Sequence, residues 1–142
     1  MANDPQYPDA IIEAEVNTVT ADLDSGFLEI YEGTAPVDAN TALSGDTLLV
    51  TLDLSATAFS AAAASGSAGS RVVTADANTI STAAGVATGT ASFYRFYESD
   101  GTTVVAQGSV GTSGADLNLS STSIVLGQDV DVTDFSFTMP EN

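Results

Sequence analysis

Five consecutive residues, Phe93-Tyr94-Arg95-Phe96-Tyr97, place aromatic rings on both faces of any strand they form. Alternation sets Ala91, Phe93, Arg95 and Tyr97 against Ser92, Tyr94 and Phe96. A strand that is bulky on both faces must be covered on both sides, which commits the chain to a layered β domain around it. Ser99-Asp100-Gly101 then supplies turn chemistry, because Gly takes positive φ cheaply and Asp bonds its own nearby backbone. Thr103 to Gln107 reads as the return strand of a β-hairpin.

Other strands follow from the same alternation. Phe27 to Tyr31 is one, bounded by Gly33. Leu48, Val50, Leu52 and Leu54 alternate with Leu49, Thr51 and Asp53 as a half-buried strand. Arg71 to Thr74 is a short one, and Leu117 to Leu119 with Ile124-Val125 gives another or its two ends. The last strand keeps one phase through Val130 and Val132 and another through Phe135, Phe137 and Met139. That shift predicts a β-bulge near Thr133 or Asp134, with Pro140 ending the strand. About seven or eight short strands separated by Gly, Ser and Asp turns predict a mainly β fold, an antiparallel β-sandwich or barrel.

At 142 residues the chain reads as one domain. Residues 1–8, with Pro5 and Pro8, form an extended N-terminal arm, and 9–142 form a single β domain. Within it, 9–24 is ambiguous. Ile12, Val16, Val19 and Leu23 share one helical face and Asp9 suits a helix cap, which favours a short helix. The branched Val16, Thr18, Val19 and Thr20 favour an extended arm instead. Thr34 to Asp46 is a polar loop able to reach a neighbour. Residues 55–70, mostly Ala, Ser and Gly, form either a thin packed layer or a flexible excursion.

Charge narrows the partners. Nineteen acidic residues face two arginines, with no Lys or His, for a net charge of −17. A surface this poor in cations cannot neutralise phosphates, so nucleic acid is excluded, and anionic membranes repel it. The ordinary reading is a solvated acidic surface suited to high salt. An apolar content of 44% separates the chain from a disordered acidic tail. No apolar run approaches the ~20 residues that span a bilayer. The opening Met-Ala-Asn-Asp-Pro lacks the basic and apolar regions of a secretory leader.

Chemistry is limited by the same inventory. Without His or Cys, the usual nucleophile–base pairs and zinc or copper sites are unavailable. Carboxylate pairs remain, with Glu29, Glu32, Asp53 and Glu98 as the candidates in or beside strands. Among so many acids chance proximity is expected, so the residues predict no enzyme and no cofactor. Asp22-Leu-Asp24-Ser-Gly26 begins like a calcium loop but has Gly33 where the twelfth-position Glu belongs. Asp129, Asp131 and Asp134 are weak calcium candidates, set against a solvated edge whose charge deters strand pairing. Arg95, among four aromatics, is expected to stack on a ring or pair with a carboxylate, within one subunit or across two.

The run TGTASFYRFYESDGTTVVAQGSVGTSGADLNL (88–119), followed by STSIVLGQDVDVTDFSFTMPE, resembles small structural proteins encoded in the morphogenesis clusters of tailed phages and prophages. FLEIYEGTAP and LLVTLDLSATAFSAAA fit the same layout, so the resemblance covers Gly26 to Glu141. DGTTVV with GSVGTSGADLNL is its most specific part. It carries over no functional residue. It implies a virion protein, with a capsid decoration (cement) protein on the outer surface of the head as the reading best suited to a short acidic chain with an arm. The implied partners are the major capsid protein and further copies of the chain, as a homotrimer or another homo-oligomer, assembled in the host cytoplasm. A tail or head–tail connector component is the alternative, and an acidic carbohydrate- or cation-binding β module is a third. Contacts are expected from Tyr7 and Ile11 on the arm, Pro36 and Val37 in the first long loop, Arg71, and the Ala/Ser/Gly segment.

Overall fold

The computed structural model describes residues 5–67 and 71–140; the first half of the expected arm (1–4), the end of the Ala/Ser/Gly segment (68–70) and the last two residues lie outside them. Helix α1 spans Asp9–Ala21 and is followed by β1 (Phe27–Glu32), β2 (Thr47–Asp53), β3 (Ala63–Ser65) and β4 (Val72–Asp76). Next come β5 (Ala83–Ala84), β6 (Gly89–Thr90), β7 (Phe93–Tyr97) and β8 (Val104–Gly111). The chain closes with β9 (Leu117–Asn118), β10 (Ser123–Ile124), β11 (Asp129–Val130) and β12 (Ser136–Pro140). The fold is mainly β with one short helix. Seven strands have three residues or more; five two-residue strands lie in stretches with too little alternation to announce them.

The main sheet has the order β2-β1-β7-β8-β9, antiparallel except for the β8–β9 pair. The aromatic run is β7, buried at all five positions and lying between β1 and β8. Its inner face carries Tyr94 and Phe96, in register with Ile30 and Leu28 of β1, which in turn face Val50 and Leu52 of β2. Phe59, Phe135 and Phe137 close on Phe96 at centroid distances of 6.2, 5.0 and 5.6 Å. Each such ring or aliphatic side chain, fully withdrawn from water, contributes about 1.5 to 3 kcal/mol. Two irregularities bend this sheet. Pairing passes from Ile30↔Val50 to Tyr31↔Leu48, so Leu49 is an extra residue and turns inward with Val50, both fully buried. Likewise Val105 is the extra residue between the pairs Phe96↔Ala106 and Tyr97↔Val104.

The hairpin turn forms as its residues dictate. Asp100 accepts from the N–H groups of Thr102 and Thr103, both at 2.8 Å, and Gly101 takes φ 70°. The hydroxyl and N–H of Thr103, then the N–H of Thr102, hold the Asp100 carboxyl down at about 2.

The final strand differs from expectation. Val130 pairs with Ala83 in the β11–β5 ladder, whereas Phe137 pairs with Ala75 in the β12–β4 ladder. The phase shift across Thr133 and Asp134 is therefore a change of sheet, not a bulge. Residues 131–135 lie in neither ladder while burying Val132 and Phe135.

Residues 9–21 are helical, which settles the ambiguity of that segment. The buried positions are Ile12, Val16 and Thr20; Val19 is 36% exposed, and Leu23 is buried beyond the helix end. Asp9 does not cap the helix: Pro8 stands at the cap position, and Asp9 lies in the first turn, paired with Arg71. The helix crosses the sheet β12-β4-β3. Its Glu13 accepts the N–H of Ala64 at 3.0 Å, and its Asn17 accepts that of Ala62 at 2.8 Å. The spacings match: the four helical residues from Glu13 to Asn17 advance about 6 Å, and two strand residues advance about 6.6 Å. The outer edge of β3 is thereby closed by side chains instead of a strand. Asp24 continues the series by accepting from Ala58 N–H at 2.8 Å.

The described part of the Ala-rich segment is thus a packed layer, with Ala58, Phe59 and Ala62 in the core. Replacing Asn17 with Ala strands the N–H of a buried residue, so a loss of about 1 to 2 kcal/mol is expected. Hydrogen exchange at Ala62 should quicken selectively. Unchanged exchange there would refute the edge-closing role.

Candidate functional site

The outer face of the main sheet is built from β1, β7 and β8 in register: Glu29 opposite Arg95, Tyr31 opposite Phe93, and Arg95 opposite Gln107. Tyr31 stacks on Phe93 with centroids 5.2 Å apart. Its hydroxyl donates to Glu29 Oε2 and lies 3.1 Å from that of Tyr97. Thr51 Oγ1 adds a bond to Glu29 Oε1 at 3.3 Å. Burial, then the bond to Glu29, pushes the Tyr31 hydroxyl well above its ordinary range, so it remains a protonated donor. Glu29 is thus an anchor for its own sheet.

Of the other carboxylate candidates, Glu32 serves a similar end. Glu32 accepts the N–H of Thr90 at 2.9 Å, joining β1 to β6. Asp53 is exposed at the end of β2, and Glu98 begins the hairpin turn through its N–H to Thr103 O at 2.9 Å.

Arg95 is 3% exposed, and its partners are not the ones expected. Among the described residues it forms no ion pair with a carboxylate; its Nε and Nη2 donate to Gln107 Oε1 at 3.0 and 2.9 Å. Nη2 also donates to the carbonyls of Thr41 at 2.6 Å and Asp38 at 3.4 Å. Gln107 completes the arrangement by donating Nε2–H to Pro36 O at 2.7 Å. The buried guanidinium has replaced its water with neutral oxygens, one from Gln107 on β8 and two carbonyls of loop 34–46, so that loop is clamped onto the outer face. Asp38, within that loop, is held below the usual carboxylate range, first by Thr41 and in smaller part by Arg95. Gln107 was not singled out from sequence. Its signal was the hairpin register, which sets it directly across from Arg95.

The expected contact residues fall into two groups. Tyr7 and Ile11 are exposed, at 45% and 47%; Tyr7 precedes α1, whereas Ile11 lies in its first turn and not on an extended arm. Tyr7, Ile12, Glu15, Met139 and Pro140 line one groove there, and Val16, Val19, Phe137 and Met139 line the next, so Met139 joins them. Val37 is 89% exposed on the clamped loop, next to a half-buried Pro36. Arg71 lies apart from the loop, with Asp9 at the start of α1.

Asp129 and Asp131 line a shallow pocket with Ser120, Ser121 and Ser123, and Asp131 accepts from Thr82 Oγ1 at 3.3 Å. Asp134 is exposed in the segment between β11 and β12. Among the described residues, no three His, Cys, Asp or Glu side chains are grouped to hold a metal ion, so these three aspartates are not brought into one site. No described helix is long and apolar enough to cross a membrane. Comparison with family models, curated proteins and solved structures finds no match to this chain.

Proposed function

We propose that the chain is a non-enzymatic virion structural protein, a capsid decoration (cement) protein that grips the outside of a phage head shell. One observation carries this reading. Exposed apolar side chains occur at Tyr7, in one of the two grooves that share Met139, at Ile11 on α1, and at Val37, on a body of net charge −17. Such a surface suits adhesion through a few apolar contacts, with acidity keeping the remainder soluble and away from DNA. The sequence resemblance to phage structural proteins points the same way. Each contact need be only modest, because self-association multiplies the effective concentration of the others.

Phage particles that contain this chain should carry it in hundreds of copies, spread over the head. Particles lacking it should keep intact heads that burst at lower temperature or lower salt. Heads of unaltered resistance would sink the proposal. A few copies confined to the tail would assign it to the tail or connector.

A further inference from the structure

A cleft of about 250 Å³ opens where the end of α1 meets the Ala-rich layer. Ala21, Phe59 and Ala61 supply its apolar wall, and Asp24, Thr57 and Ser60 its polar groups. Asn17 and Thr20 also border it, but both are committed within the fold. Asn17 Oδ1 accepts Ala62 N–H at 2.8 Å, and the Thr20 hydroxyl donates to Asn17 O at 3.3 Å.

Local structure makes this cleft electronegative. The helix ends here with no basic residue in its last turn to answer the partial negative charge of its carbonyl end. Asp24 follows in the next turn, which Ser25, at φ 58°, fixes by donating its N–H to Ser55 O at 2.9 Å. Asp24 Oδ1 is taken by Ala58 N–H, whereas Oδ2 has no partner among the described residues. Thr57 receives Ser55 Oγ and Asn78 Nδ2 on its carbonyl, and its hydroxyl has no partner among the described residues. Ser60 Oγ accepts Asp76 N–H at 3.2 Å and keeps a second lone pair. Neither arginine lines the cleft: Arg71 pairs with Asp9 at the opposite end of α1, and Arg95 holds loop 34–46.

Three acceptors beside an apolar wall match a primary ammonium on a hydrocarbon stem, which brings three donors and no acceptor. A guanidinium fits less well, because its fork wants both oxygens of one carboxylate and Asp24 Oδ1 is already used. A sugar ring gains little, since Phe59 is 4% exposed and offers no open face to stack on. We infer that the cleft receives a lysine side chain from a partner protein, its ammonium on Asp24, Thr57 and Ser60 and its stem along Ala21, Phe59 and Ala61. The chain itself contains no lysine, so a second copy cannot supply one. A net charge of −17 draws a basic surface in. The inference is independent of the head-shell reading, since any lysine-bearing partner satisfies it.

Titration of the purified full chain with Nα-acetyl-lysine N-methylamide, followed by amide resonances, tests this. Saturable shifts are expected at Asp24, Thr57 and Ser60, weakening as salt rises from about 0.1 to about 1 M. No localised shift up to about 0.1 M ligand overturns the inference. The norleucine counterpart has the stem without the ammonium and should bind about fivefold or more weakly; equal binding would make the cleft merely apolar and overturns it. Asp24→Asn keeps an oxygen for Ala58 N–H and should weaken lysine binding about fivefold or more. Asp129→Asn removes the same charge elsewhere and should stay within about twofold; equal losses mean diffuse attraction only and overturn the inference. Tighter binding of glucose or of putrescine also overturns it, in favour of a sugar or a free diamine. Should Asp24→Asn lose exchange protection at Ala58 and so its local fold, the salt and norleucine arms on the unaltered chain decide.

Discussion

Replacing Phe96 with Ala should cost about 3 to 5 kcal/mol, the largest loss expected from any single aromatic truncation in this chain. Phe96 is fully buried at the centre of a five-ring cluster, with Tyr94, Phe59, Phe135 and Phe137 all within 6.2 Å of its centroid. These rings come from three separate stretches of chain, so the void cannot collapse by moving one segment. Against a typical total of 5 to 15 kcal/mol, the loss consumes a large share of stability and should lower the melting temperature by about 10 to 20 °C. Phe137→Ala provides the comparison. Phe137 is only half-buried and lies nearer water, so it should cost less than half as much. Equal losses at the two positions would mean that Phe96 is not the hub of the core.

What was legible in the sequence follows the range of the interactions. The β7–β8 hairpin was readable because alternation, turn residues and cross-strand register all lie within 19 residues, from Phe93 to Gly111. The burial of β7 on both faces was equally readable, since no packing leaves Phe93, Tyr94, Phe96 and Tyr97 all dry on one side only. The fate of the last strand was not. A period-two phase shift is produced alike by a bulge and by a crossing between sheets, and only the partners of Val130 and Phe137, Ala83 and Ala75, tell them apart. On α1 the apolar spacing marked Val19 as buried and passed over Thr20. The helix turns Thr20 inward, where its hydroxyl bonds back to Asn17 O at 3.3 Å and so escapes the cost of burial.

The contact residues show the same division. Exposure of Tyr7, Ile11 and Val37 was legible because chain ends and loop tips are seldom covered. Their grouping was not, since Tyr7 meets Met139 and Pro140 from the far end of the chain.

Replacing Arg95 with Met should release loop 34–46 while leaving the sheet beneath it standing. Met preserves most of the length and apolar stem of the side chain but supplies no donor. Three acceptors, Gln107 Oε1 and the carbonyls of Thr41 and Asp38, then lose their partner on a part-buried face. Leaving such groups unsatisfied costs about 1 to 3 kcal/mol each, and the loop can recover that cost only by lifting away to water. Expected, therefore, are a stability loss of about 2 to 4 kcal/mol and proteolytic cleavage that begins within 34–46. Lysine should not rescue, because an ammonium cannot reproduce the fork that reaches Gln107 and Thr41 together. Gln107→Ala should give a partial release, since it removes both the Oε1 acceptor and the Nε2 bond to Pro36. If cleavage instead began in β8 or the β7–β8 turn, Arg95 would be holding the hairpin and not the loop. The distinction bears on function, because Val37 is presented by this loop. Under the proposed attachment to a head shell, a released loop should remove the contribution of Val37 while those of Tyr7 and Ile11, which touch no member of the clamp, persist.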